Sequence, residues 1–161
     1  MKKLSSKLFL VLLMCFGLLS CNNSDDDESI TSNNGPWEIE YSITGVSGEF
    51  TGTYRSSDGS FQAVKAVNVD GSSQDMLATA PWKLNFTTTD DNAGAQVSVT
   101  GFEGIPGETA TLKILVDGVD AAENYRRDGL APPVFGNNTY IVEDSGEWAV
   151  SLVIALDNLN N

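Results

Sequence analysis

The feature that most constrains this 161-residue chain is a period of two. Trp37, Ile39, Tyr41 and Ile43 alternate with Glu38, Glu40, Ser42 and Thr44. Successive side chains of a strand point to opposite faces, so this run makes one buried and one wet face. The pattern returns in Trp82, Leu84 and Phe86, set against Lys83, Asn85 and Thr87, and again in Leu112, Ile114 and Val116. Trp148, Val150, Leu152 and Ile154 repeat it, and there Ala149, Val153 and Ala155 make the second face apolar as well, which predicts a central strand from Glu147 to Leu156.

Turn chemistry separates these runs. Ser47-Gly48, Ser57-Asp58-Gly59-Ser60 and Asp117-Gly118 have the composition of tight connections, the last two suited to hairpins. Phe50 and Tyr54 belong to a second strand, while Phe61, Ala63 and Val67 form a weaker third. Asp70 to Ser73 reads as a loop, and Asp90 to Gly94 as a turn leading to Val97 and Val99. Pro81 opens a strand, where a missing ladder donor is tolerated. Asp120 to Gly129 is ambiguous: Asp120 and Glu123 have capping-box spacing with Gly129 as a stop, but the Asp117-Gly118 hairpin favours a strand. Short strands at regular spacing without a long helical pattern predict an all-β chain, an Ig-like antiparallel β-sandwich of about seven to nine strands over residues 36–161.

The first 20 residues carry a different signal. Lys2, Lys3 and Lys7 precede an apolar run from Leu8 to Leu19, the order found in an export signal. A membrane-spanning helix needs roughly 20 apolar residues, so this run suits a cleaved leader better than a permanent span. Leu18-Leu19-Ser20-Cys21 then resembles the lipobox of bacterial lipoproteins: a branched apolar residue, a tolerant position, a small residue and a cysteine. The resemblance implies cleavage before Cys21 and acylation of its thiol. One acyl chain anchors only marginally, at about 0.8 kcal/mol per buried CH2, whereas several make attachment effectively permanent.

Residues 21–35 read as the lipidated cysteine and a flexible tether, too polar to offset the entropy of ordering. Within the tether, Ser24-Asp25-Asp26-Asp27-Glu28 resembles the surface-export signal of Bacteroidota lipoproteins. That implies an outer-membrane, cell-surface location for the anchored domain. The plainer account is a solvated charge run.

Charge and composition narrow the functions. The chain holds 22 acidic and nine basic residues. Three lysines leave with the leader, so six basic residues remain and the net charge is −16. Such a chain repels nucleic acid. Of the two cysteines, Cys15 leaves with the leader and Cys21 is acylated, so no disulfide is expected. With no histidine and no free thiol, most nucleophilic and zinc chemistry is excluded. No glycine-rich phosphate loop is present. Carboxylates fall mainly on wet strand positions or in turns, which argues against a paired-acid hydrolase. The expectation is therefore a non-enzymatic binding module without a cofactor.

Three places could contact something. Asp90, Asp91 and Asn92, or Asp117 and Asp120, offer hard oxygen ligands for calcium, although neither set has EF-hand spacing and Asp and Asn favour turns anyway. Arg126-Arg127 is the only adjacent basic pair after the leader and could meet an anion, though such pairs are commonly solvated. The loop Gly129-Leu130-Ala131-Pro132-Pro133-Val134-Phe135-Gly136 is apolar for a loop. Phe135 is expected to fold back and cap the core, with a partner surface as the alternative.

Ile39 to Gly45, Tyr54, Pro81-Trp82, Ile114-Leu115-Val116-Asp117-Gly118 and Glu123 together resemble the small mycobacterial membrane proteins of the MmpS type, over residues 37 to 128. The resemblance implies a small β-sandwich and a role as a periplasm-facing accessory of an envelope lipid transporter. The present chain has a lipobox where that family has an N-terminal membrane helix, and it lacks that family's cysteine pair. Two functional expectations follow: a surface-exposed lipoprotein that binds a protein or glycan, and, as the alternative, a transporter accessory.

Overall fold

A computed structural model describes residues 36–67, 72, 74, 76–89, 94–126 and 129–156. The leader, Cys21, the tether with Ser24 to Glu28, the candidate calcium ligands Asp90, Asp91 and Asn92, and Arg127 all lie outside the described residues.

The described residues are all-β: eleven strands in two antiparallel sheets packed face to face, with no helix among them. Sheet A is built from β1 (Trp37–Thr44), β5 (Trp82–Thr88), β7 (Thr109–Val116), β8 (Val119–Asp120) and β10 (Thr139–Ile141). Its order is β10-β7-β1-β5, with β8 sharing the far side of β7. Sheet B is built from β2 (Glu49–Arg55), β3 (Phe61–Ala63), β4 (Ala78–Thr79), β6 (Gly94–Phe102), β9 (Val134–Asn137) and β11 (Trp148–Ala155). Its order is β3-β2-β6-β11-β9, with β4 beside β2. The expected seven to nine strands are exceeded only by the two-residue β4 and β8, which are too short to leave a period in the sequence.

The alternating runs become strands for the reason their spacing suggests. The inward row of β1, Trp37, Ile39, Tyr41 and Ile43, is buried, as are Leu112, Ile114 and Val116 of β7 and Trp148, Val150, Leu152 and Ile154 of β11. Burying each such side chain is worth roughly 1.5–3 kcal/mol, which fixes the register because a one-residue slip would turn the whole row outward. The layers meet through rings. Phe50 of β2 packs edge-on against Trp82 of β5, with centroids 6.3 Å apart, and Tyr41 packs against Tyr54 at 5.9 Å. The Trp148 ring lies flat over Gly101, where a Cβ would sit 1.9 Å from the indole, so a glycine is required opposite this tryptophan.

One side chain enters the ladder of the opposite sheet. The pairing of β2 with β6 ends at Tyr54 and Val97. Beyond it the Tyr41 hydroxyl, from sheet A, donates to the Arg55 carbonyl at 2.9 Å and accepts from the Gln96 N–H at 3.2 Å. It bridges backbone groups of the two strands just beyond their last pair, and burial raises its pKa well above the usual tyrosine range.

The hairpins hold as expected. Asp58 anchors the β2–β3 connection by accepting from the Ser56 and Ser60 hydroxyls and the Ser60 N–H. Asp117 (φ 52°) and Gly118 (φ 79°) close β7 onto β8 with both residues at positive φ, the geometry of a type I′ turn. The ambiguous stretch divides. Asp120 ends a two-residue strand, then its carbonyl and carboxylate cap a single turn by accepting from the N–H groups of Ala122, Glu123, Asn124 and Tyr125. The strand favoured for Asp120 to Gly129 and the alternative short helix are both corrected: the strand stops at Asp120, and one turn held by that residue follows it.

Candidate functional site

Among the described residues, the outer face of each sheet carries a broad depression. The one on sheet A, about 370 Å3, is lined by Glu38, Glu40, Asn85, Thr87 and Gly118 among others. Ion pairs stand in and beside it. Lys83 pairs with Glu40 at 2.6 Å, and nearby Lys113 pairs with Asp120 at 2.9 Å. The Asp120 carboxylate, by hydrogen bond and charge, raises the pKa of Lys113. Asp117 accepts from the Glu38 N–H at 3.0 Å and from the Tyr125 hydroxyl at 2.9 Å, extending the β1–β7 pairing past the end of the strand. Asp117 and Asp120, one of the two candidate calcium pairs, thus spend their oxygens on separate structural partners. Among the described residues no three acidic, histidine or cysteine side chains converge on a point where an ion could sit.

The depression on sheet B, about 420 Å3, differs in chemistry. Register places Ser98, Ser151 and Asn137 in one row across β6, β11 and β9. Thr100 and Ala149 form the next row. The floor is low at Ala149, which carries only a methyl group. Gly136 sits at φ +110°, and a Cβ there would stand 2.2 Å from the Ser151 carbonyl, so the close approach of β9 to β11 admits glycine alone. Among the described residues, none of the Ser98, Thr100, Asn137 or Ser151 side chains has a hydrogen-bond partner. Strands β6, β11 and β9 contain no ionisable residue at all.

Two aromatic rings bracket this face. The row running Phe135, Val153, Gln96, across the Tyr41 wedge to Arg55 and then Phe61, crosses five of the six strands of the sheet, all but β4. Phe135 is 61% exposed and Phe61 56% exposed. Phe135 was expected to cap the core from a loop, and this is corrected: residues 134–137 are a strand, and Phe135 points outward. The register explains it. Val134 stands opposite Ile154 on the inner side, so the next residue must face out beside Val153. Arg126 lies elsewhere, exposed after the turn that follows β8, with its guanidinium donating to the neighbouring Tyr125 carbonyl at 2.7 Å. The structure does not bring Arg126 and Phe135 together on one element.

The polar row of Ser98, Thr100, Asn137 and Ser151 escaped the reading of the sequence, because alternation marks such positions only as wet. A usable signal existed: residues 94–102 and 148–155 are free of charge in a chain rich in carboxylates. Neither a protein-family model nor a curated protein matches this sequence.

Proposed function

We propose that the chain is a lipid-anchored outer-membrane lipoprotein that displays a non-enzymatic binding sandwich at the cell surface. The observation that carries the binding role is the outer face of sheet B, where two exposed aromatic rings and an uncommitted polar row share one surface. The basic and apolar leader ending in Leu18-Leu19-Ser20-Cys21 supports the anchor, and Ser24-Asp25-Asp26-Asp27-Glu28 supports the outward orientation. The site chemistry favours contact over turnover. On sheet A, Glu40 and Asp120 are engaged in ion pairs and Asp117 in hydrogen bonds, and strands β6, β11 and β9 of sheet B offer hydroxyls and an amide with no ionisable residue among them to act as a base.

Protease shaving of intact cells tests the orientation. The native domain should be cleaved, and a chain with Asp25, Asp26 and Asp27 all changed to Ala should be protected. Cys21→Ala should release the protein from the membrane fraction. Protection of the native chain would place the domain in the periplasm and remove the surface reading.

That outcome would favour the second reading, a transporter accessory of the MmpS type. Its support is the resemblance alone, since the residues that carry it have local structural duties: the Trp82 indole donates to the Lys65 carbonyl, and Asp117 latches Glu38 and Tyr125. It predicts that crosslinked membranes yield the chain together with a large membrane protein.

A further inference from the structure

We infer that the outer face of sheet B binds a neutral polysaccharide, an inference that rests on the binding-module reading and names its ligand class. The argument begins with charge. The mature chain carries a net charge of −16, so an anionic polymer is repelled on approach. The depression itself has no ionised side chain, so a charged ligand would lose hydration there without gaining an opposite charge. The complementary ligand is uncharged and rich in hydrogen-bonding groups.

A sugar polymer has that chemistry in the required arrangement. A pyranose ring has apolar C–H faces and a rim of hydroxyls. Phe135 provides an exposed flat apolar surface for the ring face, and Ser98, Thr100, Asn137 and Ser151 provide both donors and acceptors for the rim. Phe61 closes the far end of the face. Two strand spacings, roughly 10 Å at about 4.8 Å each, carry the row from Phe135 to Gln96 over strands without charge, and Arg55 stands between that stretch and Phe61, so the uncharged face is long enough for a few sugar units and too open to enclose one. The low floor at Ala149 leaves room for a chain to lie across β11.

The test uses the full lipidated chain, purified in lauryl dimethylamine oxide, a detergent without a sugar head group. It is run through native gels cast with starch, xylan, mannan, mixed-linkage β-glucan or dextran, and in parallel with polygalacturonate as an anionic polymer. At least one neutral polymer should retard the wild type. Phe135→Ala and Ser151→Asp should each weaken that retardation tenfold or more while keeping the native near-ultraviolet circular dichroism. Thr87→Asp, on the outer face of sheet A, should leave it unchanged. Retardation by none of the neutral polymers overturns the proposal. So does stronger retardation by polygalacturonate, or equal retardation of wild type, Phe135→Ala and Ser151→Asp. Because purified protein is used, failure here is separate from failure of the surface orientation, which shaving of cells decides.

Discussion

On sheet A the outward residues of β1, β5 and β7 include Glu38, Glu40, Lys83 and Lys113, and ion pairs tie three of them, Glu40 with Lys83 and Lys113 with Asp120, within 3 Å. On sheet B the outward residues of β6, β11 and β9 are serine, threonine, asparagine, glutamine, alanine, valine and phenylalanine. The inner faces of the two sheets are alike, both apolar and both buried. The difference outside teaches that the fold does not need charge on a solvated sheet face. Charge there is one way to keep a face wet and unpaired, and hydroxyls are another that leaves the face available for contact. Glu40, Lys83 and Lys113 on sheet A have ion-pair partners, and among the described residues the side chains of Ser98, Thr100, Asn137 and Ser151 on sheet B have no hydrogen-bond partner.

Substitutions can break or sharpen that contrast. The largest effect is expected where the sheets meet. Tyr41→Phe strands the Arg55 carbonyl and the Gln96 N–H and should cost about 1–3 kcal/mol in urea unfolding. The same residue sets an alkaline limit. Its folded pKa lies above the unfolded value of about 10, so its contribution is complete below pH 10 and is lost as pH rises beyond it. The phenylalanine variant should show a flatter alkaline limb.

Asp117→Ala comes next. It removes an acceptor from the Glu38 N–H and from the Tyr125 hydroxyl, and places alanine at positive φ, so a loss of about 1–2 kcal/mol is expected by thermal or urea melting. The double change Glu40→Gln with Lys83→Met should cost about 0.2–1 kcal/mol at low salt, and the difference should vanish at high salt. Ser98→Ala and Ser151→Ala should each stay within about 0.5 kcal/mol of wild type at any ionic strength. A salt-dependent loss on sheet B, or none on sheet A, would erase the distinction between the faces.

The smallest effect concerns the β2–β3 hairpin. Hydrogen bonds from the Ser56 and Ser60 hydroxyls, then from the Ser60 N–H, lower the pKa of Asp58 to about 2. A depressed carboxyl contributes stability above its unfolded pKa, and that contribution fades as pH falls toward 2. The protection factor of the Ser60 amide, its exchange rate relative to the unstructured rate at the same pH, should fall over that range in the wild type, and Asp58→Asn should show the lower protection already at neutral pH.

The elements legible in the sequence were those whose periodicity is long. β1, β7 and β11 run eight residues each with unbroken alternation, enough to identify the buried face. β11 read as apolar on both faces and is indeed central in its sheet, yet among the described residues only its inner face is covered. Its second face is small and partly exposed, which periodicity alone treats as core. β9 was not legible, because four residues next to two prolines show too little alternation, and its direction is dictated by the register against β11. The polar row on sheet B was invisible for a different reason: it is assembled from three strands far apart in sequence, and only pairing puts Ser98 beside Ser151 and Asn137.

The place of β1 has a mechanical consequence. It is the first described strand, and it lies inside sheet A, hydrogen-bonded to β5 on one side and β7 on the other. With the proposed anchor at Cys21, any pull between membrane and bound ligand enters the domain at Trp37. A terminal strand at a sheet edge would be peeled away bond by bond. Here the load divides between two ladders at once, and the Tyr41 hydroxyl passes part of it to sheet B. The end of the chain that would be tethered is the end built to resist traction.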